Sequence, residues 1–235
     1  MSTKAEFALD RARIELGDSV QPYFWEDSEL LAYLDEAQSE FCREVPIRDS
    51  RTQEVCVLAY KANASDVPYH ASIRRILNIT RKDSNGVLWQ VPMATQETAL
   101  TLNSPSRSAD YGVHIDATRE LTRPSDHFQV FVDYDEDYLR FSSPSATAGT
   151  LYLQVERLPL SPVTECDQLL EVRQEYIPAL VAWITFRAWL KQDGETFDET
   201  ASSRAFALFE RHVSRAKYEL HRRHSTPGLV RYGGL

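Results

Sequence analysis

At 235 residues the chain is long enough for one large domain or two small ones and can bury a substantial core. Hydrophobic residues make up 43% and aromatic residues 11%, and no apolar run nears the roughly 18–20 residues that span a bilayer, so a membrane-spanning helix is not expected. The formal net charge of −9 argues against a general nucleic-acid binder held by phosphate contacts.

The N-terminal stretch "MSTKAEFALDRARIELGDS" carries charges throughout and has no apolar h-region, so it does not read as a signal peptide. Residues 3–16 place Ala5, Leu9, Ala12 and Leu16 at helical spacing, and Gly17 follows where a helix-ending glycine belongs. The connector "DSVQPYFW" comes next. In "EDSELLAYLDEAQSEFCRE", Leu30, Leu34, Ala37 and Phe41 recur at steps of four, three and four, one face of a second helix. Asp27 or Ser28 can cap it, the acids at its start suit the positive helix end, and Pro46 stops it. The two helices are expected to pair, with Tyr23, Phe24 and Trp25 packed beneath the turn.

From about 51 to 163 short β-branched and aromatic runs replace the helical pattern: "EVCVLAY", "RRILNITRK", "VLWQV", "FQVFVDYD", "DYLRFSS" and "TLYLQVERL". Asn85-Gly86 between the second and third is a two-residue hairpin signal. "TQETALTLN" at 95–103 fits one short helix, and "SPSRSADYG" reads as a loop. In "LYLQVERL", Leu151, Leu153 and Val155 alternate with Tyr152, Gln154 and Glu156, as in an antiparallel strand with one solvated face.

Helical texture returns at 167. "LLEVRQEYIPALVAWITFRAWLKQD" is apolar nearly all round in its second half, so this helix should be the centre of a bundle, with Trp183 buried and Pro178 near its start. After the turn "GETFDET", Phe206, Phe209, Val213, Ala216 and Leu220 fall at steps of three, four, three and four, a coiled-coil-like seam. The expected fold class is therefore α+β: a helical bundle from residues 1–50 and 164–225, an inserted mostly antiparallel β-rich domain over 51–163, and an extended tail over 226–235. Its expected core includes Trp25, Leu30, Leu34, Phe41, Trp183, Phe186, Phe206, Phe209 and Val213.

Little in the chain points to a reaction. The acidic knot "DYDEDY" over 133–138 is the strongest candidate for a metal site, since oxygen-ligating cations need converging carboxylates. It lies between two strand runs, where a charged hairpin turn is expected, and lacks the glycine and terminal glutamate of a calcium loop. A metal-dependent hydrolase using Asp133, Asp135 and Asp137 is the enzymatic alternative; a non-enzymatic scaffolding or regulatory protein is another. The six histidines make no zinc pattern with a cysteine, no G-x-S-x-G elbow or phosphate loop occurs, and the three cysteines (Cys42, Cys56, Cys166) read as free thiols. No catalytic residue, metal or cofactor is assigned.

The charge is unevenly distributed. Residues 211–235 hold six basic residues against the single acid Glu219, a charge of +5, which leaves −14 for residues 1–210. That polarity favours directional docking. Arg222, Arg223, Leu229, Val230, Arg231, Tyr232 and Leu235 are the candidate docking residues, because Pro227 and Gly228 end the helix and leave apolar anchors on a tail.

The helix "ALDRARIELGD", the tryptophan before an acidic cap, "ELLAYLDEAQSEFCR" and the late segment "YIPALVAWITFRAWLKQDGETFDETASSRAFALFERHVSRAK" together resemble the head-to-tail adaptor (connector) proteins of tailed bacteriophages. The resemblance covers roughly 5–48 and 172–218; Glu26 stands after the tryptophan where such proteins often carry Ser or Thr. It implies a structural virion protein in the neck, assembled in the host cytoplasm as a homo-oligomeric ring, commonly of twelve copies. The implied partners are the portal protein and a tail or nozzle protein, with genomic DNA passing through the channel without specific binding, and no membrane.

Overall fold

The computed structural model of the chain describes residues 2–82, 86, 88–95, 128–191 and 197–224. In chain order it forms β1 (Ser2–Lys4), α1 (Ala5–Leu16), α2 (Asp27–Glu44), β2 (Ile47–Asp49), α3 (Gln53–Cys56), β3 (Val57–Tyr60), β4 (Asp66–Pro68), β5 (Ile73–Lys82), β6 (Leu88–Gln90) and β7 (Met93–Thr95). After the undescribed stretch come β8 (Val130–Asp133), β9 (Tyr138–Phe141), β10 (Gly149–Arg157), β11 (Leu169–Arg173), a 3-10 turn (Gln174–Tyr176), α4 (Ile177–Trp189) and α5 (Glu199–His224). The class is α+β. The chain divides into two compact units, Met1–Ile47 with Pro159–Leu235, and Arg48–Leu158.

In the first unit α4 is the centre, packed by α1, α2 and α5. Its apolar residues occupy nearly the whole circumference, so it can only be stable when surrounded. Ile177, Leu180, Val181, Ile184 and Ala188 are buried. The one polar group among them, Thr185, satisfies its hydroxyl by bonding back to the Val181 and Ala182 carbonyls at 3.1 and 3.0 Å. Pro178 sits in the first turn, where its missing N–H costs nothing. α1 buries Ala5, Leu9, Ala12 and Leu16, and Gly17 closes it at φ 70° with the Asp18 amide returning to the Arg13 carbonyl. α2 buries Leu30, Leu34, Ala37 and Phe41.

Several expectations need correction in this unit. Leu169–Arg173 is not helical but a strand, β11, antiparallel to β1, with Leu170 and Val172 alternating into the core. The short apolar run there suits either period, and pairing with a strand about 165 residues earlier decides it. Trp25 is buried, but Phe24 is 60% exposed and Tyr23 37%. Neither Asp27 nor Ser28 caps α2: both are already helical, Glu26 is the cap residue without a side-chain bond, and the Asp27 carboxylate accepts from Arg13 instead. Trp183 and Phe186 are half-buried, and Phe206 is 37% exposed rather than core. The face of α5 that meets α4 runs through Ser202, Ala205, Phe209, Val213 and Ala216, so Phe206, one residue on from Ala205, is turned about 100° to its edge. There its ring lies 5.0 Å from Phe186 and 6.2 Å from Trp183.

In the second unit β10 is the spine. It pairs antiparallel with β5 on one side, while β2 and β3 share its other edge and β6 extends the sheet beyond β5. Leu151, Leu153 and Val155 point inward and Tyr152 and Gln154 outward, the period-2 alternation of a one-sided sheet. A second sheet runs β4-β9-β8-β7, antiparallel except for the parallel pair β7–β8. Tyr60, Phe128 and Phe141 pack ring to ring at 4.5–5.9 Å.

The first half of "EVCVLAY" is a helical turn, α3, rather than strand. Asp49 accepts the amides of Arg51 and Thr52 and the Thr52 hydroxyl, which bends the chain into a turn that α3 continues. β5 and β6 do form a hairpin, but Lys82 faces Leu88, so the connection is residues 83–87 rather than two residues. Gly86 within it has φ 83°. The helix expected at 95–103 begins with Thr95 at the end of β7 and otherwise lies outside the described residues, as does the loop after it.

Candidate functional site

Two local structures stand out: a buried ionic knot that fixes the N-terminal helices, and the basic end of α5. The knot is built on Arg13. It lies on the inward face of α1, where a guanidinium is affordable only with partners. It donates to Asp18 at 2.8 Å, to the Trp25 carbonyl at 3.0 Å and to Asp27 at 2.5 Å. Asp18, itself buried, accepts the Phe24 and Trp25 amides. The Tyr23 ring stacks on the guanidinium at 3.8 Å. The knot sets the path by which the chain leaves α1 and enters α2. Sequence periodicity passed over it; the available signal was an arginine on an apolar helix face with an aspartate five residues later.

α2 also clamps the returning chain. Asp35 accepts the Val163 amide at 2.8 Å, and buried Gln38 accepts the Glu171 amide at 3.1 Å. Arg187 of α4 and Lys191, two residues past its end, reach Glu36 and Glu29 of α2 at 3.0 and 2.8 Å. Burial, then the bond to Glu29, pushes the Tyr33 hydroxyl up to about 12.

Arg222 and Arg223 lie exposed on the last described turn of α5, where cations complement the negative helix end. Arg223 donates to Glu175 at 3.3 Å; against the effect of burial, that bond holds the Glu175 carboxyl below its ordinary value. Earlier along the helix Lys217 pairs with Glu44 of α2, and Arg215 with Glu219. Leu229, Val230, Arg231, Tyr232 and Leu235 lie outside the described residues.

The acidic knot at 133–138 is the turn between β8 and β9, with Asp133 opposite Tyr138 and Asp137 in the left-handed region at φ 58°. Asp133 spends its carboxylate on the turn: it accepts the Asp135 and Glu136 amides and pairs with Arg140 at 2.9 Å. No group of three or more His, Cys, Asp or Glu side chains among the described residues is arranged to hold a metal ion. None of the three cysteines is in a disulfide; Cys42 and Cys56 are buried, and burial followed by the nearby Asp49 charge pushes the Cys56 thiol up to about 11. Among the described residues no helix is long and apolar enough to cross a membrane.

Together these contacts make a helical body held by buried ionic and packing contacts, with exposed arginines on the last described turn of its last helix. Comparison with curated proteins finds no match. The family model for the SU10 adaptor protein matches residues 5–231, helices and β-rich unit alike. The chain thus belongs to the SU10 adaptor protein family, a family of phage structural adaptors.

Proposed function

We propose that the chain is a head-to-tail adaptor that forms a ring of about twelve copies beneath the portal and joins the DNA-filled head to the tail. In this reading the helices of 1–50 and 164–225 make the wedge of the ring, 51–163 is the β-rich insertion, and the tail 226–235 docks on the portal. A ring consumes two unlike faces of each subunit, and the angle between them must be fixed. The Arg13 knot and the α4-centred packing supply that rigidity. The protein works in the virion neck, is assembled in the host cytoplasm, meets a tail or nozzle protein below, and needs no catalysis or cofactor. Genomic DNA slides past without specific binding, since a ring of subunits at −9 each repels phosphate.

The observation that carries this reading is the family match across residues 5–231. Its test is negative-stain imaging of the protein mixed with the portal of the same phage. Rings of added density on the portal's tail-facing end are expected; portals that stay bare at saturating protein would sink the reading.

A further inference from the structure

We propose that the outward face of α1 in one copy of the chain seats on the outward face of α5 in the next, and that this pairing is the lateral contact of the ring; it rests on the adaptor reading above. α5 carries a second stripe, away from its buried seam, through Arg204, Leu208, Arg211, Arg215, Tyr218 and Arg222, at steps of four, three, four, three and four. Every one of these residues is exposed, Leu208 by 47% and Tyr218 by 66%. Two apolar groups therefore stand in a row of arginines, of which Arg215 is partly neutralised by Glu219.

α1 has the complementary layout. Opposite its buried face stand Phe7 and Ile14, 43% and 71% exposed, one helical face seven residues apart. Glu6, Asp10 and Glu15 flank them, all exposed. The one cation of that face, Arg11, lies over its own Phe7 ring at 5.5 Å. Apolar groups bordered by acids on one helix match apolar groups bordered by arginines on another, and both helices belong to one compact unit. The faces are unlike, so the contact is heterologous and propagates from copy to copy. One helix-on-helix contact buries less than the roughly 1,200–2,000 Å² of a stable complex, so it is weak in isolation and accumulates only around a ring.

Site-directed crosslinking reads this directly. In full-length protein carrying Cys166→Ser, so that the remaining native cysteines are the buried Cys42 and Cys56, Ile14→Cys and Leu208→Cys are made separately and together. With a short bis-maleimide, at about 0.1 mM protein in low salt where surface charges are least screened, neither single variant should crosslink to itself. Their mixture should give dimers only, and the double variant a ladder of multiples. Reversing Arg211 and Arg215 to Glu should cut the mixed-dimer yield at least about tenfold, and Glu6→Arg with Asp10→Arg in the other chain should restore it. Self-crosslinking of either single variant, no dimer in the mixture, or a yield indifferent to charge reversal would each overturn the proposal. Portal imaging separates the two claims: rings that persist with Arg211 and Arg215 reversed reject this face and leave the adaptor reading intact. Bare portals with the unaltered chain reject the adaptor reading, while the crosslinking result still judges the face.

Discussion

The indole N–H of Trp25 donates to the backbone carbonyl of Ala188, 3.2 Å away and 163 residues later in the chain. The Trp189 ring meets the Trp25 ring edge-on at 5.6 Å, so the segment entering α2 is pinned to the last turn of α4 by both a polar and an apolar contact.

The two contributions separate by substitution. Trp25→Phe keeps most of the ring packing and leaves the Ala188 carbonyl still accepting the Lys191 amide at 3.2 Å. Its cost should be about 1 kcal/mol, the net worth of one hydrogen bond. Trp25→Ala, which empties a site 2% exposed, should cost about 3–5 kcal/mol. Urea melts of the two variants check this; equal losses would show that ring packing contributes little at this position.

Arg13 and Asp18 should show the asymmetry of a buried ion pair. Arg13→Met strands the Asp18 carboxylate, whose side chain is 1% exposed, and should cost about 3–5 kcal/mol. Adding Asp18→Asn removes the stranded charge while leaving an oxygen for one of the Phe24 and Trp25 amides, and should recover a good part of that loss. The double-mutant cycle measures it. Strictly additive losses would mean that the two groups are not coupled.

The helical faces were legible because their apolar residues are large and evenly spaced: Leu30, Leu34 and Phe41 on α2, Leu9 and Leu16 on α1. The α5 seam was misread at one residue for the same reason. Close approach of α5 to α4 uses Ser202, Ala205 and Ala216, small residues that carry almost no hydrophobic signal, and Ser202 even reaches the Phe186 carbonyl at 3.3 Å. Phe206 outshone them in the sequence but packs at the rim. β11 was missed because "LLEV" is too short to show its period and its partner β1 is remote. The α1 and α5 outer stripes were invisible until the inner faces had been assigned, since a helix with apolar groups on two sides yields no single amphipathic stripe.

Asp49 should dominate part of the acid limb of stability. Burial alone would raise its carboxyl, but the Thr52 hydroxyl, the Arg51 and Thr52 amides and the Arg157 guanidinium at 2.8 Å outweigh it and hold the group well below the usual carboxylate range. A carboxyl held down by folding stabilises fully above its unfolded value of about 4, and that stabilisation drains away as pH falls toward the folded value. Asp49→Asn should therefore be less stable than the unaltered chain at pH 7 and lose less on acidification below pH ~4. Stability measured by urea melts at a series of pH values would show the two curves converging; parallel curves would mean that Asp49 is not titrating against folding.

The basic end of α5 allows docking to be separated from folding. Arg222 and Arg223 are exposed, and the Arg223 bond to Glu175 is a surface pair of the kind that contributes little measurable stability. Residues 226–235 follow Arg223 by only a few positions. If Leu229, Val230, Tyr232 and Leu235 anchor in a portal groove while the arginines steer the approach, the two halves of the element should fail differently. Arg222→Ala with Arg223→Ala should slow association and steepen no other property, leaving the thermal midpoint unchanged and the residual binding less sensitive to salt. Deleting 226–235 should remove binding altogether, again with an unchanged midpoint, because the apolar anchors proposed to seat in the portal groove are gone. Surface plasmon resonance on immobilised portal, read at two salt concentrations beside a thermal melt, distinguishes these outcomes. A deletion variant that binds portal with unaltered affinity would place docking elsewhere on the chain, and one that melts early would show that the segment packs on its own subunit instead.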